Sequence, residues 1–277
     1  MVDIRPDPGE NRGSATEADL GVRPVLKRTV VSAVAVGSLI AVLAVSPAIA
    51  AKGGNGHGCG GGGGGTTYVP GVDVSHYQGT INWSQVAGAG VRFAIQKATE
   101  SRTYVDPTYS TNRTGGGRYG IKWGAYHFAR PDTTSGDAAA EADHFVDTAL
   151  LSSGDIVPAL DLEVTGNLGT TALRSWVSAW LGRVTSRMGV RPMVYSSPSF
   201  WKTYMGDTTA FADQGYRILW IAHWTSNSQP NVPANNWGGY GWTFWQWTSC
   251  WSVPGIGGCV DGDRYRYADN FAQVTIP

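Results

Sequence analysis

The sequence has few cysteines and histidines and no excess of charge of either sign. Its 277 residues include three cysteines, five histidines and 21 basic against 21 acidic residues. A neutral chain offers no electrostatic attraction to nucleic acid or to an anionic membrane, so we expect neither as its main partner. No His-x-His or His-Glu-x-x-His pair is present. Because such pairs mark common zinc sites, we expect no metal and no other cofactor.

Charge is also missing from one long apolar stretch near the beginning. Lys27 and Arg28 directly precede an uncharged run from Thr29 to Ala51, within which Ala48-Ile49-Ala50 offers small residues at signal-peptidase spacing. This pattern predicts that residues 1–50 are a signal peptide, cleaved after Ala50, and that the protein is secreted without stable membrane association. The alternative is an uncleaved membrane anchor, because the run is nearly long enough to span a bilayer.

Composition divides the rest of the chain into two parts. Residues 51–67 are mostly glycine, which buries no apolar surface and predicts a flexible linker. Residues 68–277 are long enough for one catalytic α/β barrel domain. In an exported protein we expect a disulfide between Cys250 and Cys259, which bracket a short loop. Cys59 lies in the linker, and we assign it no role.

Short apolar segments recur after residue 70, separated by turn or helix signals. Eight of them have the length and composition of strands, and eight is the number in a closed parallel barrel. They are Gly71–His76, Arg92–Ala98, Lys122–Phe128, Ile156–Leu162, Arg191–Ser196, Ile218–His223, Thr243–Trp247 and Cys259–Asp261.

Helical spacing is clearest from Thr171 to Met188, where Trp176 and Trp180 are expected in the core and Gly189 ends the helix. The region Asn227–Gly241 shows no helical period. We therefore predict an α/β fold: an irregular TIM-like barrel of about five β/α units followed by three strands with loop connections. The other expected helices are Asp137–Leu150, capped by Ser135 or Thr134, and Trp83–Ala89, which follows Asn82.

Asp161 and Glu163 form the most informative pair. They end an apolar strand, and positions i and i+2 of a strand share a face with Cα atoms about 6.5–7 Å apart. Like charges this close resist ionising together, so the pair retains one proton at unusually high pH. A neutral acid beside a carboxylate is suited to glycoside cleavage. The alternative for an isolated Asp-x-Glu is an acidic loop start.

Polar or aromatic side chains end most of the expected strands. In a parallel barrel the active site collects at the strand C-termini, so these groups should converge on one mouth. Alternation places Trp245 and Trp247 on one face and Gln246 on the other, so the three do not all line the pocket. The candidates besides Asp73, Asp161, Glu163 and Asp261 are the substrate-binding residues Lys97, Glu100, Tyr126, His127, Tyr195, Trp224, Gln246 and Trp247.

Six motifs, in this order, resemble those of the family 25 glycoside hydrolases, the Chalaropsis-type lysozymes. They are Gly71-Val72-Asp73-Val74-Ser75, Lys97-Ala98-Thr99-Glu100, Gly124-Ala125-Tyr126-His127-Phe128, Leu160-Asp161-Leu162-Glu163, Trp245-Gln246-Trp247, and Gly257 with Val260 and Asp261. The last motif usually reads V-D-x-N, and here Gly262-Asp263 follows Asp261. The resemblance implies five β/α units followed by strands without helices, and N-acetylmuramidase activity on peptidoglycan.

The resemblance also implies roles for four acids. Glu163 matches the family's proton donor and Asp161 its partner carboxylate, while Asp73 and Asp261 match the other two acids of the pocket. A pair on one strand suits attack by the substrate's own 2-acetamido oxygen, oriented by Asp161 with help from Tyr126. A carboxylate nucleophile or an attacking water are the alternatives.

Two other functions stay open at this point. His76, His127 and His223 with Asp73 and Asp161 are the candidate ligands of a metal-dependent polysaccharide deacetylase, and a non-catalytic barrel that binds cell walls is the second alternative. For the favoured muramidase, the expected partner is the glycan strand of peptidoglycan, and the expected state is a monomer.

Overall fold

The computed structural model describes residues 68–277 except Asp269. The expected signal peptide, linker and Cys59 lie outside these residues. The strands are β1 (Val69–Val74), β2 (Phe93–Glu100), β3 (Tyr104–Val105), β4 (Lys122–Phe128), β5 (Ala159–Asp161), β6 (Met193–Ser196), β7 (Leu219–Ala222), β8 (Phe244–Trp251) and β9 (Val260–Tyr265). The helices are α1 (Trp83–Gly88), α2 (Tyr109–Gly117), α3 (Asp137–Ala149), α4 (Thr170–Met188), α5 (Pro198–Tyr204) and α6 (Ala210–Asp213).

Eight of the strands close into a barrel, because β1 pairs with both β2 and β9. The short strand β3 adds to β2 outside the barrel and was not predicted. Helices follow β1, β2, β4, β5 and β6, which confirms the predicted irregular barrel with five β/α units. Over the part of the chain described, no helix is long and apolar enough to cross a membrane.

The expectation of eight parallel strands is wrong for the last one. Strand β9 runs antiparallel to both β8 and β1. The segment between β8 and β9 is too short for the crossover that a parallel pair needs, so the two strands form a hairpin. The predicted disulfide is present: Cys250 and Cys259 are bonded across this hairpin.

Helix ends follow the sequence signals in part. The Asn82 side chain caps α1 by accepting the Gln85 N–H at 3.2 Å, and Gly189 ends α4 with a φ of 70°. The predicted cap of α3 is wrong. Gly136, at a φ of 79°, precedes the helix without a side-chain cap, because its left-handed backbone turns the chain into α3.

The region 227–241 contains a turn that its composition did not predict. Residues 234–237 all have a φ between 49° and 57°, so Pro233–Gly238 is one left-handed helical turn. Such backbone is unfavourable for residues other than glycine. Buried contacts offset the cost: the Trp237 ring lies 4.9 Å from that of Trp201, and its Nε1 donates to the Tyr216 carbonyl at 2.9 Å.

Strand alternation separates an inner from an outer core. Inward rings of Phe93, Phe244 and Tyr265 pack at the bottom of the barrel, with neighbouring centroids 5.0–5.3 Å apart. Outward residues pack under the helices, where Trp176 and Trp180 are buried as predicted. Because apolar rings fill the lower interior, the inward polar side chains are confined to the upper end of the barrel.

Candidate active site

A cavity of about 300 Å³ opens at the upper end of the barrel. Nine of the twelve predicted site residues line it, so strand alternation and barrel closure bring together residues up to 188 positions apart (73 to 261). The nine are Asp73, Lys97, Tyr126, Asp161, Glu163, Tyr195, Trp224, Gln246 and Asp261. The other three, Glu100, His127 and Trp247, lie elsewhere.

Asp161 and Glu163 stand on the same side of the chain, as their spacing predicted. Asp161 ends β5 and is buried, whereas Glu163 is accessible to solvent at the mouth, and the two carboxyls are in hydrogen-bonding contact. Burial and the Glu163 charge raise the pKa of Asp161 well above its usual value, and partial desolvation raises the pKa of Glu163. The pair therefore holds one proton where a lone carboxyl would have lost it.

One oxygen of Asp161 is left without a donor. Oδ1 is buried, and no N–H or O–H of the described residues donates to it. A buried acceptor in this condition costs free energy unless a ligand or a shared proton satisfies it. Asp161 Oδ1 is thus available to accept a hydrogen bond from a group that enters the cavity.

Asp73 and Asp261 meet on the opposite wall, where β1 and β9 pair in register at these two residues. Burial, with the charges of Asp263 and Asp261, raises the pKa of Asp73 well above its usual value. Burial and the charge of Glu163 raise the pKa of Asp261 to about 6. The cavity therefore favours protonated carboxyls on both walls.

A glutamine connects this wall to two rings that the substrate would meet. Gln246 donates through Nε2 to Asp73 Oδ2 at 2.8 Å. Its Oε1 accepts the Tyr195 hydroxyl and the Trp224 indole N–H, each at 3.2 Å. Trp224 is 61% exposed, so hydrogen bonding holds the edge of its ring while the face is open to a flat apolar partner such as a sugar.

Lys97, predicted as a substrate-binding residue, brings a cation to the cavity. Its ammonium lies 4.8 Å from the centroid of the Phe128 ring and donates to Glu100, which also accepts from Arg130 Nε at 2.7 Å. Glu100, which does not line the cavity, is thereby paired with two cations, Lys97 and Arg130. Its predicted contact with substrate does not fit this position. The charge of Lys97 lowers the pKa of both Asp161 and Glu163, against the larger effect of burial.

His127 lies on the wrong side of its strand for a substrate-binding role. Tyr126 points into the barrel, so the next side chain points out under α3, where His127 is fully buried. Its Nε2 donates to Glu141 Oε2 at 2.7 Å, and its Nδ1 then accepts from Thr99 Oγ1 at 2.8 Å. Burial lowers the pKa of His127 to about 3, which keeps the ring neutral.

Trp247 is the third predicted residue that the structure places away from the cavity. The Arg264 guanidinium lies 4.5 Å from the centroid of its ring, and its indole packs beside Gly262 on the outer side of the hairpin. This agrees with the predicted alternation, which puts Trp245 and Trp247 on one face of the strand and Gln246 on the other, and the structure turns Gln246 inward.

The structure adds residues that the sequence did not indicate. Asp263 is fully buried beneath Asp261, and its Oδ1 accepts the Trp220 indole N–H at 2.8 Å. Tyr77, 82% exposed, lines the rim of the cavity. Alternation along β9 would have found Asp263, but the expected strand ended at Asp261, two residues too early.

The three histidines considered as metal ligands lie at different places and each has its own hydrogen-bond partner. His76 contacts Asp106 at 2.9 Å, His127 is buried under α3, and His223 Nδ1 accepts the Asn231 N–H at 2.9 Å. Among the residues described, no group of three His, Cys, Asp or Glu side chains is arranged to hold a metal ion.

Comparison with known proteins gives a consistent result. The sequence profile described as "Glycosyl hydrolases family 25" matches residues 72–256. Lysozyme M1 of Streptomyces globisporus is 38% identical over 73% of this chain and 69% of its own length. The N,O-diacetylmuramidase of Chalaropsis sp is 33% identical over 70% of this chain and 94% of its own.

A solved structure agrees with these relatives. The crystal structure of the bacterial lysozyme from Streptomyces coelicolor superposes with a TM-score of 0.68 at 36% identity, covering 76% of this chain and 96% of that one. These comparisons lend no support to a deacetylase or a non-catalytic binding barrel. The profile match over two thirds of the chain, the relatives and the acid-lined barrel mouth together show that this chain is a glycoside hydrolase and belongs to family 25.

Proposed function

We propose that this protein is an N-acetylmuramidase that cleaves the β-1,4 bond between N-acetylmuramic acid and N-acetylglucosamine in peptidoglycan. Its family membership and its similarity to a lysozyme and an N,O-diacetylmuramidase support this substrate class. The observation that carries the proposal is the contact between Asp161 and Glu163. Asp161 is buried and its Oδ1 receives no hydrogen bond, whereas Glu163 is accessible at the mouth.

In the proposed reaction Glu163 is the general acid. It transfers its proton to the glycosidic oxygen as the bond from that oxygen to the anomeric carbon breaks, a contribution of about 10²–10⁴ in rate. Burial raises the pKa of Glu163, against the lowering effects of its hydrogen bond with Asp161 and of the Lys97 charge. In the proposed reaction the proton that the pair retains lies on Glu163 when the substrate binds, and Asp161 is then the ionised partner. The Glu163 carboxylate then removes a proton from the water that completes hydrolysis.

The nucleophile in this proposal is the 2-acetamido oxygen of the muramic acid, which bonds to the anomeric carbon as the leaving group departs. Asp161 Oδ1 accepts a hydrogen bond from the acetamido N–H, which gives that buried oxygen a donor. Tyr126 lines the same part of the cavity and helps to hold the acetamido group. Water then opens the cyclic intermediate, and the product keeps the β configuration.

The test is Glu163→Gln, which preserves the shape of the side chain and removes its proton. On purified peptidoglycan we expect clearing and new reducing ends to fall by about 10² or more. Asp143→Asn is the matched control, because Asp143 lies on α3 and pairs with Arg183 at 2.7 Å, away from the cavity. Near wild-type hydrolysis by Glu163→Gln would refute the assignment, and release of acetate without reducing ends would refute the muramidase.

We also propose that the protein acts outside the cell as a monomer after removal of residues 1–50. The uncharged run that follows Lys27 and Arg28, and the small residues Ala48 and Ala50, support this. N-terminal sequencing of protein from culture medium should begin at Ala51, and size-exclusion chromatography should give one chain. An intact N-terminus in the membrane fraction contradicts cleavage.

A further inference from the structure

We propose that Asp263 is a positioning residue of the active site: its buried carboxylate accepts the hydroxyl of a protonated Asp73 and thereby fixes the direction of the hydrogen bonds that run from Trp224 through Gln246. This inference rests on the proposed function only for its kinetic consequence. The hydrogen-bonded arrangement itself concerns side chains of this chain alone.

Asp263 lies below the floor of the cavity with no exposure to solvent. It faces into the barrel from β9, in register with Gln246 on β8, and Trp220 on β7 contacts it. The carboxyl of Asp73 on β1 is in hydrogen-bonding contact with it. Asp263 therefore contacts two residues that line the cavity, Asp73 and Trp220, although it does not line the cavity itself.

The two oxygens of Asp263 differ in what they receive. Oδ1 accepts the Trp220 indole N–H at 2.8 Å, whereas Oδ2 is buried and receives no hydrogen bond from an N–H or O–H of the described residues. A buried carboxylate oxygen without a donor is costly. Two ionised carboxylates in contact would also repel each other. A proton on Asp73, donated to Asp263, removes both penalties.

The charged and titratable groups around Asp263 support this placement of the proton. Burial and the Asp261 charge raise the pKa of Asp263 to about 7, while its hydrogen bonds with Trp220 and Asp73 oppose the rise. Burial and its two acidic neighbours raise the pKa of Asp73 further. The hydroxyl of Tyr126 on β4, also near Asp73, has a raised pKa and stays neutral.

The placement of that proton determines the direction of the hydrogen bonds from Asp73 through Gln246 to Tyr195 and Trp224. Because Asp73 donates to Asp263, its other oxygen is free to accept from Gln246 Nε2 at 2.8 Å. The amide oxygen of Gln246 must then face the Tyr195 hydroxyl and the Trp224 N–H, both donors. Without a charged acceptor at Asp263, Asp73 can instead donate to Gln246, and a flipped amide would leave Trp224 without its acceptor.

Asp263→Asn tests the arrangement, because its amide donates to Asp73 and converts Asp73 into the ionised acceptor. With aspartate labelled at ¹³Cγ, NMR of the intact protein should show a buried carboxyl that titrates near pH 7 in the wild type. This inflection should vanish in Asp263→Asn. The profile of kcat/KM against pH on peptidoglycan should lose its ionisation near pH 7, and kcat should fall about tenfold as the sugar-facing groups lose their order.

Trp220→Phe provides a second test, in which the inflection should shift rather than vanish. Removing the indole N–H withdraws a bond that favours the Asp263 carboxylate, so the same inflection should move above pH 7. Asp143→Asn, on the outer helix, should leave it unchanged. An inflection near pH 7 that persists in Asp263→Asn, or labelled aspartates that all titrate near pH 4, would overturn the proposal. Because the titration needs no substrate, it remains decisive even if the protein does not hydrolyse peptidoglycan.

Discussion

Asp73 and Asp261 are register partners across the β1–β9 pair, although Asp73 lies near the end of its strand and Asp261 near the beginning. They meet because β9 is antiparallel, which places its N-terminal end at the mouth where the other strands have their C-terminal ends. The acid cluster therefore lies across the seam that closes the barrel, and Asp263 follows two residues deeper on the same face.

Asp161→Asn should lower kcat on peptidoglycan by about 10²–10³, because an amide cannot stabilise the positive charge that develops on the acetamido group. KM should change much less, since shape and acceptor oxygen are retained. Initial rates of reducing-end release check both values, with Asp143→Asn as control.

In the wild type, NMR of the first product formed should show the β anomer. An α anomer would exclude assistance by the substrate.

Lys97→Met should move the alkaline limb of the kcat/KM profile to higher pH. The cation of Lys97 lowers the pKa of Asp161 and Glu163, so its removal raises both. A general acid with a higher pKa stays protonated to higher pH, which extends activity upward. Lys97→Arg keeps the charge and should keep the limb in place. A limb that moves down, or shifts equally in both variants, contradicts this role.

Glu141→Gln should remove part of the loss of stability at alkaline pH. Burial raises the pKa of Glu141 from 4.5 to about 8, so between these values the folded chain holds a proton that the unfolded chain has released. Stability therefore falls as pH rises, by about 2 kcal/mol between pH 6.5 and 8. The glutamine oxygen replaces Oε2 as acceptor for His127 Nε2 and the Arg130 N–H.

Urea unfolding at pH 6.5 and pH 8 measures this difference. Burial lowers the pKa of His127 from 6.5 to about 3, so its contribution to stability is lost progressively as pH falls below 6.5. This contribution is common to the wild type and the variant, so it cancels when the two are compared. The wild type should lose more stability than Glu141→Gln between the two conditions. Equal losses would show that Glu141 is not protonated in the fold.

Gly71→Ala should destabilise the protein by about 1–3 kcal/mol, because a Cβ at this inward position of β1 would lie 2.3 Å from the Phe93 ring. Gly182→Ala is the matched substitution on α4. Apart from the backbone of its own helix and its chain neighbours, no atom lies within 4 Å of its added Cβ, and alanine favours helix, so stability should rise by about 1 kcal/mol. Thermal unfolding compares the pair. A stabilising Gly71→Ala would contradict the packing at the bottom of the barrel.

The sequence was sufficient where the pattern was local. Alternation alone placed Asp161 and Glu163 on one face and separated Gln246 from Trp245, as observed. Helical spacing located α4 to within one residue of its start. These features depend on backbone periodicities of two and 3.6 residues, which any stretch of chain obeys wherever it lies.

Tertiary structure decided which face of each strand points inward and in which direction β9 runs. His127 adjoins Tyr126 in sequence, yet only barrel closure turns one into the helix layer and the other into the cavity. Asp263 gained its neighbours through pairing with β1 and β8, which lie far apart in sequence. Local patterns establish the alternation of side chains and the type of each element. Which face of a strand points inward, and in which direction the strand runs, depend on hydrogen bonds and packing between distant segments.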